Sequence, residues 1–243
     1  MQNFIADSSQ FTETAVTLTS EEHHHASRSC RVRIGELIGV ADGFGKRVVA
    51  RIKAIDSRML TAVIERDVSG DGEPSLEITV ALALISPARY ETAVEKCTEL
   101  GARRFVPVIA QRCTVKPVRL KLDRLERIAV EAAKQSGRSY IPEIGKPVPV
   151  KALKTGEWGQ VLAALKDTDT SLESALQGCT TGKIAFVIGP EGGFTDEERA
   201  MLLENGGRFF SLGGLTLRSE TAVIAATALA VRYEWNLRDK VND

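Results

Sequence analysis

The stretch Ile184–Glu198, IAFVIGPEGGFTDEE, decides how the rest of the chain is read. Five apolar residues, Ile184 to Ile188, suit a strand covered on both faces, as inside a parallel sheet. They run into Gly189-Pro190 and then Gly192-Gly193. Glycine lets a ligand approach the backbone closely, and Pro190 fixes one φ angle of the turn. Thr195 and Glu198 have the spacing of a capping box, so a helix is expected to open at about Asp196, with Gly206 just past its end. The loop is neither GxxxxGK[ST] nor GxGxxG. Asp196, Glu197 and Glu198 already set negative charge at the helix N-terminus. A phosphate is therefore a poor guest, and an uncharged or cationic ligand fits better. Taken alone, the loop reads equally as a tight strand-to-helix turn with no ligand.

The same alternation runs outward from this stretch. LEITVALALI (Leu76–Ile85), RFVPVIA, QVLAAL and RFFSL read as further strands. ARYETAVEKCTEL, closed by Gly101, reads as a helix with Ala93, Cys97 and Leu100 on one face. LDRLERIAVEAAKQS, closed by Gly137, carries the stripe Leu122, Leu125, Ile128, Ala129 and Ala132. The last helix, SETAVIAATALAVRYEW, is almost wholly apolar for its first three turns and must be buried, as helices against a partner subunit often are. This pattern implies a mainly parallel sheet with ligand sites at the carboxyl ends of its strands. Three loops follow strands there: Leu165–Thr170, Gly189–Phe194 and Leu212–Thr221. The third, LGGLTLRSET, puts Arg218 and Glu220 at the mouth of a buried helix. They form either a site or a structural pair, and Ser219 is able to cap.

Upstream of Leu76 the pattern differs. RVVARIKAI and MLTAVIERD are β-branched and read as short strands of a small β-rich barrel. VSGDGEPS (Val68–Ser75) is the best linker, giving domains at 1–70 and 71–243. The 243 residues carry zero formal net charge, so any nucleic-acid contact must rest on local basic patches. Cys30, Cys97, Cys113 and Cys179 are scattered without a CxxC pair, which argues against a zinc ribbon or disulfide framework and fits a reducing cytoplasm. His23–His25 are adjacent, so their rings diverge and no metal site is expected. Neither a signal peptide nor a membrane span is expected.

TELG (Thr98–Gly101), EAAKQSGRSYIPEI (Glu131–Ile144), IGPEGGFTDEE (Ile188–Glu198) and LGGLTLRSETA (Leu212–Ala222), in that order, resemble the bacterial 16S ribosomal RNA uracil-N3 methyltransferase family (RsmE type). This is a branch of the SPOUT class. The resemblance implies a SPOUT-type α/β domain with a C-terminal trefoil knot, behind a small PUA-like β-barrel that grips RNA. It implies S-adenosylmethionine, held by Leu165, by Ile188, Gly189, Pro190, Glu191, Gly192 and Gly193, and by Leu212, Gly213, Leu217 and Arg218. Arg218 and Glu220 would act on the uracil. His24, Arg31, Arg33, Lys46, Arg47, Arg112, Gln135 and Arg138 would contact 16S rRNA of the small subunit. It also implies a cytoplasmic homodimer, without membrane or metal. Other SPOUT targets, a ribose hydroxyl or a tRNA, stay open, as does a non-catalytic assembly factor. The family's usual Arg before an aromatic pair is Asn3 here, and Arg89 is the nearest match to a Lys expected after the first strand of the second domain. These departures leave the cofactor loops intact.

Overall fold

The structure, a computed structural model, describes residues 1–154, 156, 158–177, 179 and 181–242, with side chains as far as 238. Asp243, the last residue of the expected second domain, lies outside the described residues. The chain divides into two units: Met1–Glu73 with Val130–Ile141, and Pro74–Ala129 with the chain from Pro142 onward. The first crossing thus falls after Glu73, just past the expected boundary at 70, and a later segment returns to the first unit.

In the first unit, strands β1 (Gln2–Ile5), β2 (Ala15–Thr19), β3 (Leu37–Ala41), β4 (Arg47–Ile55) and β5 (Met59–Asp67) form one sheet in the order β1-β3-β4-β5-β2. A short helix, α1 (Ser20–His24), follows β2. Only β1 and β3 run parallel. The β4–β5 hairpin turns on Asp56, whose Oδ1 accepts the amides of Arg58 and Met59 at 2.7 and 2.9 Å. Those bonds hold its carboxyl below the usual carboxylate range. Register shifts between Val49 and Ala50 and between Ile52 and Ala54 bend the pair. The sheet is a curled half-barrel with β1 and β2 as its edges, where the sequence suggested a barrel. Phe4, Val16, Leu18, Ile38, Val48, Ile52 and Leu60 fill its inner face.

The expected linker is a pair of tight turns, with Gly70 and Gly72 at φ of +77° and +78°. Within it Glu73 is buried and accepts Arg138 Nη2 and the Ser139 amide, both at 2.8 Å. Residues 130–141 are tied to the first unit by this pair, and by Lys134, whose ammonium lies 2.8 Å from Glu22.

The second unit holds β6 (Glu77–Ala83), α2 (Pro87–Glu99), β7 (Arg104–Ile109), the first half of α3 (Leu122–Ser136), β8 (Glu143–Ile144), β9 (Val148–Pro149), β10 (Gln160–Ala164), α4 (Leu172–Gln177), β11 (Lys183–Ile188), α5 (Asp196–Glu204), β12 (Arg208–Phe210) and α6 (Ser219–Asn242). Every strand pair is parallel, in the order β12-β10-β11-β6-β7-β8, with β9 also on β7. β11 alternates between two cores. Ile184, Phe186 and Ile188 face Tyr90, Val94, Val223 and Ala226 of α2 and α6, while Ala185 and Val187 face Val161, Phe194 and Leu202. That two-sided burial is why the run from Ile184 is continuously apolar. Gly101 and Gly137 close α2 and α3 at φ of +105° and +69°. Leu100, expected on the buried face of α2, is its C-terminal cap and only half-buried. Among the described residues, no helix is long and apolar enough to cross a membrane.

Candidate active site

β12, β10 and β11 are neighbours, so the loops leaving their carboxyl ends converge. They enclose a cavity of about 420 Å³. Leu165, Ile188, Gly189, Pro190, Glu191, Gly193, Leu212, Gly213, Leu217 and Arg218 line it, from all three loops. Lys166, Asp167, Phe194, Arg199, Leu215, Ser219 and Ala222 also reach it, none of them among the expected cofactor contacts. Gly192 stands just outside the lining. Its carbonyl accepts Arg112 Nη1 at 2.8 Å, so Arg112, expected on RNA, braces the glycine loop.

Specific bonds join the loops. Ser219 Oγ donates to the Gly189 carbonyl at 2.7 Å, tying the start of α6 to the turn after β11. Lys166 Nζ donates to Thr216 Oγ1 at 3.1 Å, tying the first loop to the third. The glycine loop closes on itself through Gly193 N–H to the Pro190 carbonyl at 2.8 Å, with Gly193 at φ +68°. A β-carbon on Gly189 would lie 3.2 Å from the Phe194 ring, which would have to give by a few tenths of an ångström.

The glycine loop leads into the start of α5. Thr195 Oγ1 accepts the Glu198 amide at 3.2 Å, and Glu198 Oε2 accepts the Thr195 amide at 3.0 Å. The other oxygen, Glu198 Oε1, accepts the Gln111 amide at 2.7 Å. The capping box therefore also fastens the exit of β7. With this acid buried and Asp196 and Glu197 beside it, the helix end is already supplied with anions.

At the lip, Arg89 Nη1 lies 2.8 Å from Glu191 Oε1 and its Nε lies 3.6 Å from Glu220 Oε1. Glu220 Oε2 is buried, and among the described residues no donor reaches it. Arg89 thus links the glycine loop to the start of α6. It appears in the sequence only as a departure from a family pattern. The signal that finds it is topological: β6 adjoins β11, so the first turn of α2 emerges beside the glycine loop.

Residues 72–231 match the model of an RNA methyltransferase domain. The chain is 35% identical over 225 residues to the ribosomal RNA small subunit methyltransferase E of Synechocystis sp., covering 90% of this chain and 73% of that one. The chain belongs to the ribosomal RNA small subunit methyltransferase E family. It is 27% identical to the Bacillus subtilis member, over 96% of each chain. The structure of the Neisseria gonorrhoeae member, bound to S-adenosyl methionine, is similar at 29% identity and a TM-score of 0.81, covering 94% of this chain and 96% of that one. A probable rRNA-methyltransferase from Porphyromonas gingivalis superposes with a TM-score of 0.82 at 26% identity, over 98% and 100% of the two chains. The chain is accordingly a methyltransferase.

Of the residues expected on RNA, His24, Arg31, Arg33 and Gln135 are exposed in the first unit, with Lys46 and Arg47 half-buried. Arg112 belongs to the second unit. Arg138 is only 6% exposed, and its guanidinium is engaged by Glu73. It is part of the frame of the first unit rather than of its surface, because freeing it would leave Glu73 buried without that partner. In the histidine run the His23 ring sits 3.1 Å from the Asp56 carbonyl with its centroid 5.6 Å from that of His24, and the His25 ring stands edge-on to Phe4. Among the described residues no group of His, Cys, Asp and Glu could hold a metal.

Proposed function

We propose that this chain transfers a methyl group from S-adenosylmethionine to N3 of a uracil in 16S rRNA of the small ribosomal subunit. The observation that carries the proposal is the convergence of the three loops on one cavity with Arg218 on its wall and Glu220 two residues on in the first turn of α6. The cavity suits the cofactor. Ile188, Leu212, Leu217 and Ala222 offer an apolar wall for an adenine, and Gly189, Gly193 and Gly213 admit close backbone contacts. Glu191 and Asp167 stand on the lining together with Lys166, Arg199 and Arg218, so the wall carries both signs of charge, and the end of α5 is already capped by its own carboxylate. Size agrees as well, since pockets for drug-sized ligands begin at roughly 300 Å³.

When bound, S-adenosylmethionine supplies an activated methyl carbon on a sulfonium centre. The residues of this chain must align the nucleophile with that carbon and handle a proton. Uracil N3 lies on the Watson–Crick edge, so the base has to be unpaired first. Glu220, with one oxygen lacking a donor, takes the N3 proton. Arg218 balances the negative charge that develops on the uracil. Arg112 and Ser219 hold the glycine loop in place through Gly192 and Gly189.

The same reading includes a knotted C-terminal part, which rests on the family resemblance. It includes a homodimer, supported by the apolar Leu229, Trp235 and Leu237 left exposed on α6. Residues 1–70 would serve as the RNA-gripping domain in a cytoplasmic enzyme. The test is incubation with labelled cofactor and small subunits from a strain lacking the enzyme, followed by mass spectrometry of the nucleosides. N3-methyluridine is expected, and a ribose-methylated product or transfer to tRNA alone would refute the reading.

A further inference from the structure

The turn between β3 and β4 carries Phe44, which is 82% exposed. Single exposed apolar residues are common on protein surfaces. This one is set apart by how rigidly it is presented. Asp42 Oδ1 accepts the amides of Phe44 and Lys46 at 2.7 and 3.1 Å, and the Asp42 amide donates to the Lys46 carbonyl at 3.0 Å. From the returning segment, the Gly45 amide donates to the Ser139 carbonyl at 3.0 Å, and the Ile141 amide donates to the Gly43 carbonyl at 2.9 Å. Gly43 and Gly45 have φ of +80° and +123°. A β-carbon on either would come within 2.7 Å of Ile141 or Tyr140. Both neighbours of Phe44 are thus confined to glycine, and five hydrogen bonds fix the turn. Two cations, Lys46 and Arg47, follow directly, and Lys46 Nζ already stands 4.9 Å from the Phe11 ring centroid.

We propose that Phe44 is a stacking platform for an unpaired base of the RNA substrate, with Lys46 and Arg47 taking phosphates beside that base. The proposal rests on the RNA reading of the preceding section. A fixed ring meets a base at little entropic cost, and stacking on an aromatic face is a sequence-tolerant way to hold single-stranded RNA. Cations two and three residues along the chain from Phe44 suit a polyanion better than an apolar protein surface. A strand seated there has its base on the ring and its backbone on the charges.

The test uses the full chain, fluorescently labelled oligouridylate and protein-free 16S rRNA, with affinities read by anisotropy and cofactor affinity read by calorimetry. Phe44→Ala is expected to weaken both RNAs about tenfold, the effect of losing one stacked base. Phe44→Leu is expected to lose as much, because it keeps apolar bulk without a π-face. Phe44→Trp is expected to bind like the wild type, with new indole emission quenched by RNA. Cofactor affinity should stay unchanged in all three, and an unchanged circular dichroism spectrum and thermal transition certify the folding of the first unit. The proposal is overturned if Phe44→Ala binds RNA normally or if Phe44→Leu restores binding. It is also overturned if the loss of RNA binding tracks a changed sedimentation coefficient, which would make Phe44 a protein contact. Failure of the wild type to bind either RNA would overturn the RNA reading itself and this proposal with it.

Discussion

Replacing Glu198 with alanine should destabilise the second unit and loosen the cofactor site together. The carboxylate is 7% exposed and accepts two amides, Thr195 at 3.0 Å and Gln111 at 2.7 Å. A hydrogen bond to a charged acceptor is worth roughly 1.5–3 kcal/mol, and an acid in the first turn of a helix adds about 0.3–1 kcal/mol. With the Thr195 hydroxyl still capping the helix, each of the two bonds is taken at the low end, about 1.5–2 kcal/mol, which with the charge gives about 3–5 kcal/mol. At roughly 2–4 °C per kcal/mol for a body of this size, that is a fall in Tm of about 6–20 °C. Glu198→Gln keeps one carbonyl oxygen and should lose about half as much. Urea unfolding followed by circular dichroism gives the free energies, and calorimetry gives the affinity for S-adenosylmethionine. Weaker cofactor binding is expected in both variants because Phe194, one residue before the cap, lines the cavity. A loss under about 0.5 kcal/mol for Glu198→Ala, or a Gln variant no better than the Ala variant, would refute this account of the cap.

Other consequences are equally accessible. Arg89→Ala should lower kcat more than cofactor affinity, and Arg89→Lys should recover part of it, since Arg89 bridges Glu191 and Glu220; unchanged kcat in single-turnover assays would exclude that role. Burial pushes the Cys97 thiol up to about 12, so under native conditions Cys97 should resist alkylation while all four free cysteines react in denaturant, as mass spectrometry of labelled peptides would read. For Lys134, burial opposes the charge but Glu22 and Glu131 outweigh it and raise its pKa. The stability it contributes is therefore complete below its ordinary value of 10.5 and lost as pH rises through the folded value. The stability gap between wild type and Lys134→Met should stay flat from neutral pH to about that point and then shrink, and a gap that widens with alkalinity would contradict the sign.

What the sequence disclosed were features set by near neighbours. The capping box of Thr195 and Glu198, the glycine stops at 101 and 137, and the continuous burial of Ile184–Ile188 each follow from spacing within a turn or a strand. The three loops were visible for the same reason. Partnerships across distance were not. That Glu198 also holds Gln111, that Arg112 braces Gly192 and that Arg89 meets Glu220 all depend on strand order, which no local pattern encodes. The resemblance puts Arg138 on RNA, yet its partner Glu73 lies 65 residues away within a stretch that reads as linker. The short helix α4 has too few residues for its periodicity to stand out.

The return of residues 130–141 to the first unit bears on how the protein is made. An emerging chain holds all five strands of the half-barrel once residue 67 has cleared the ribosome, but Ser139 and Ile141, which steady the β3–β4 turn, are not yet synthesised. Glu73 is likewise without Arg138 until then. The amino-terminal unit can mature only while the first strands of its neighbour are already waiting. A gene fragment ending at Glu73 would encode an acid meant for burial with its counter-charge left on the other piece.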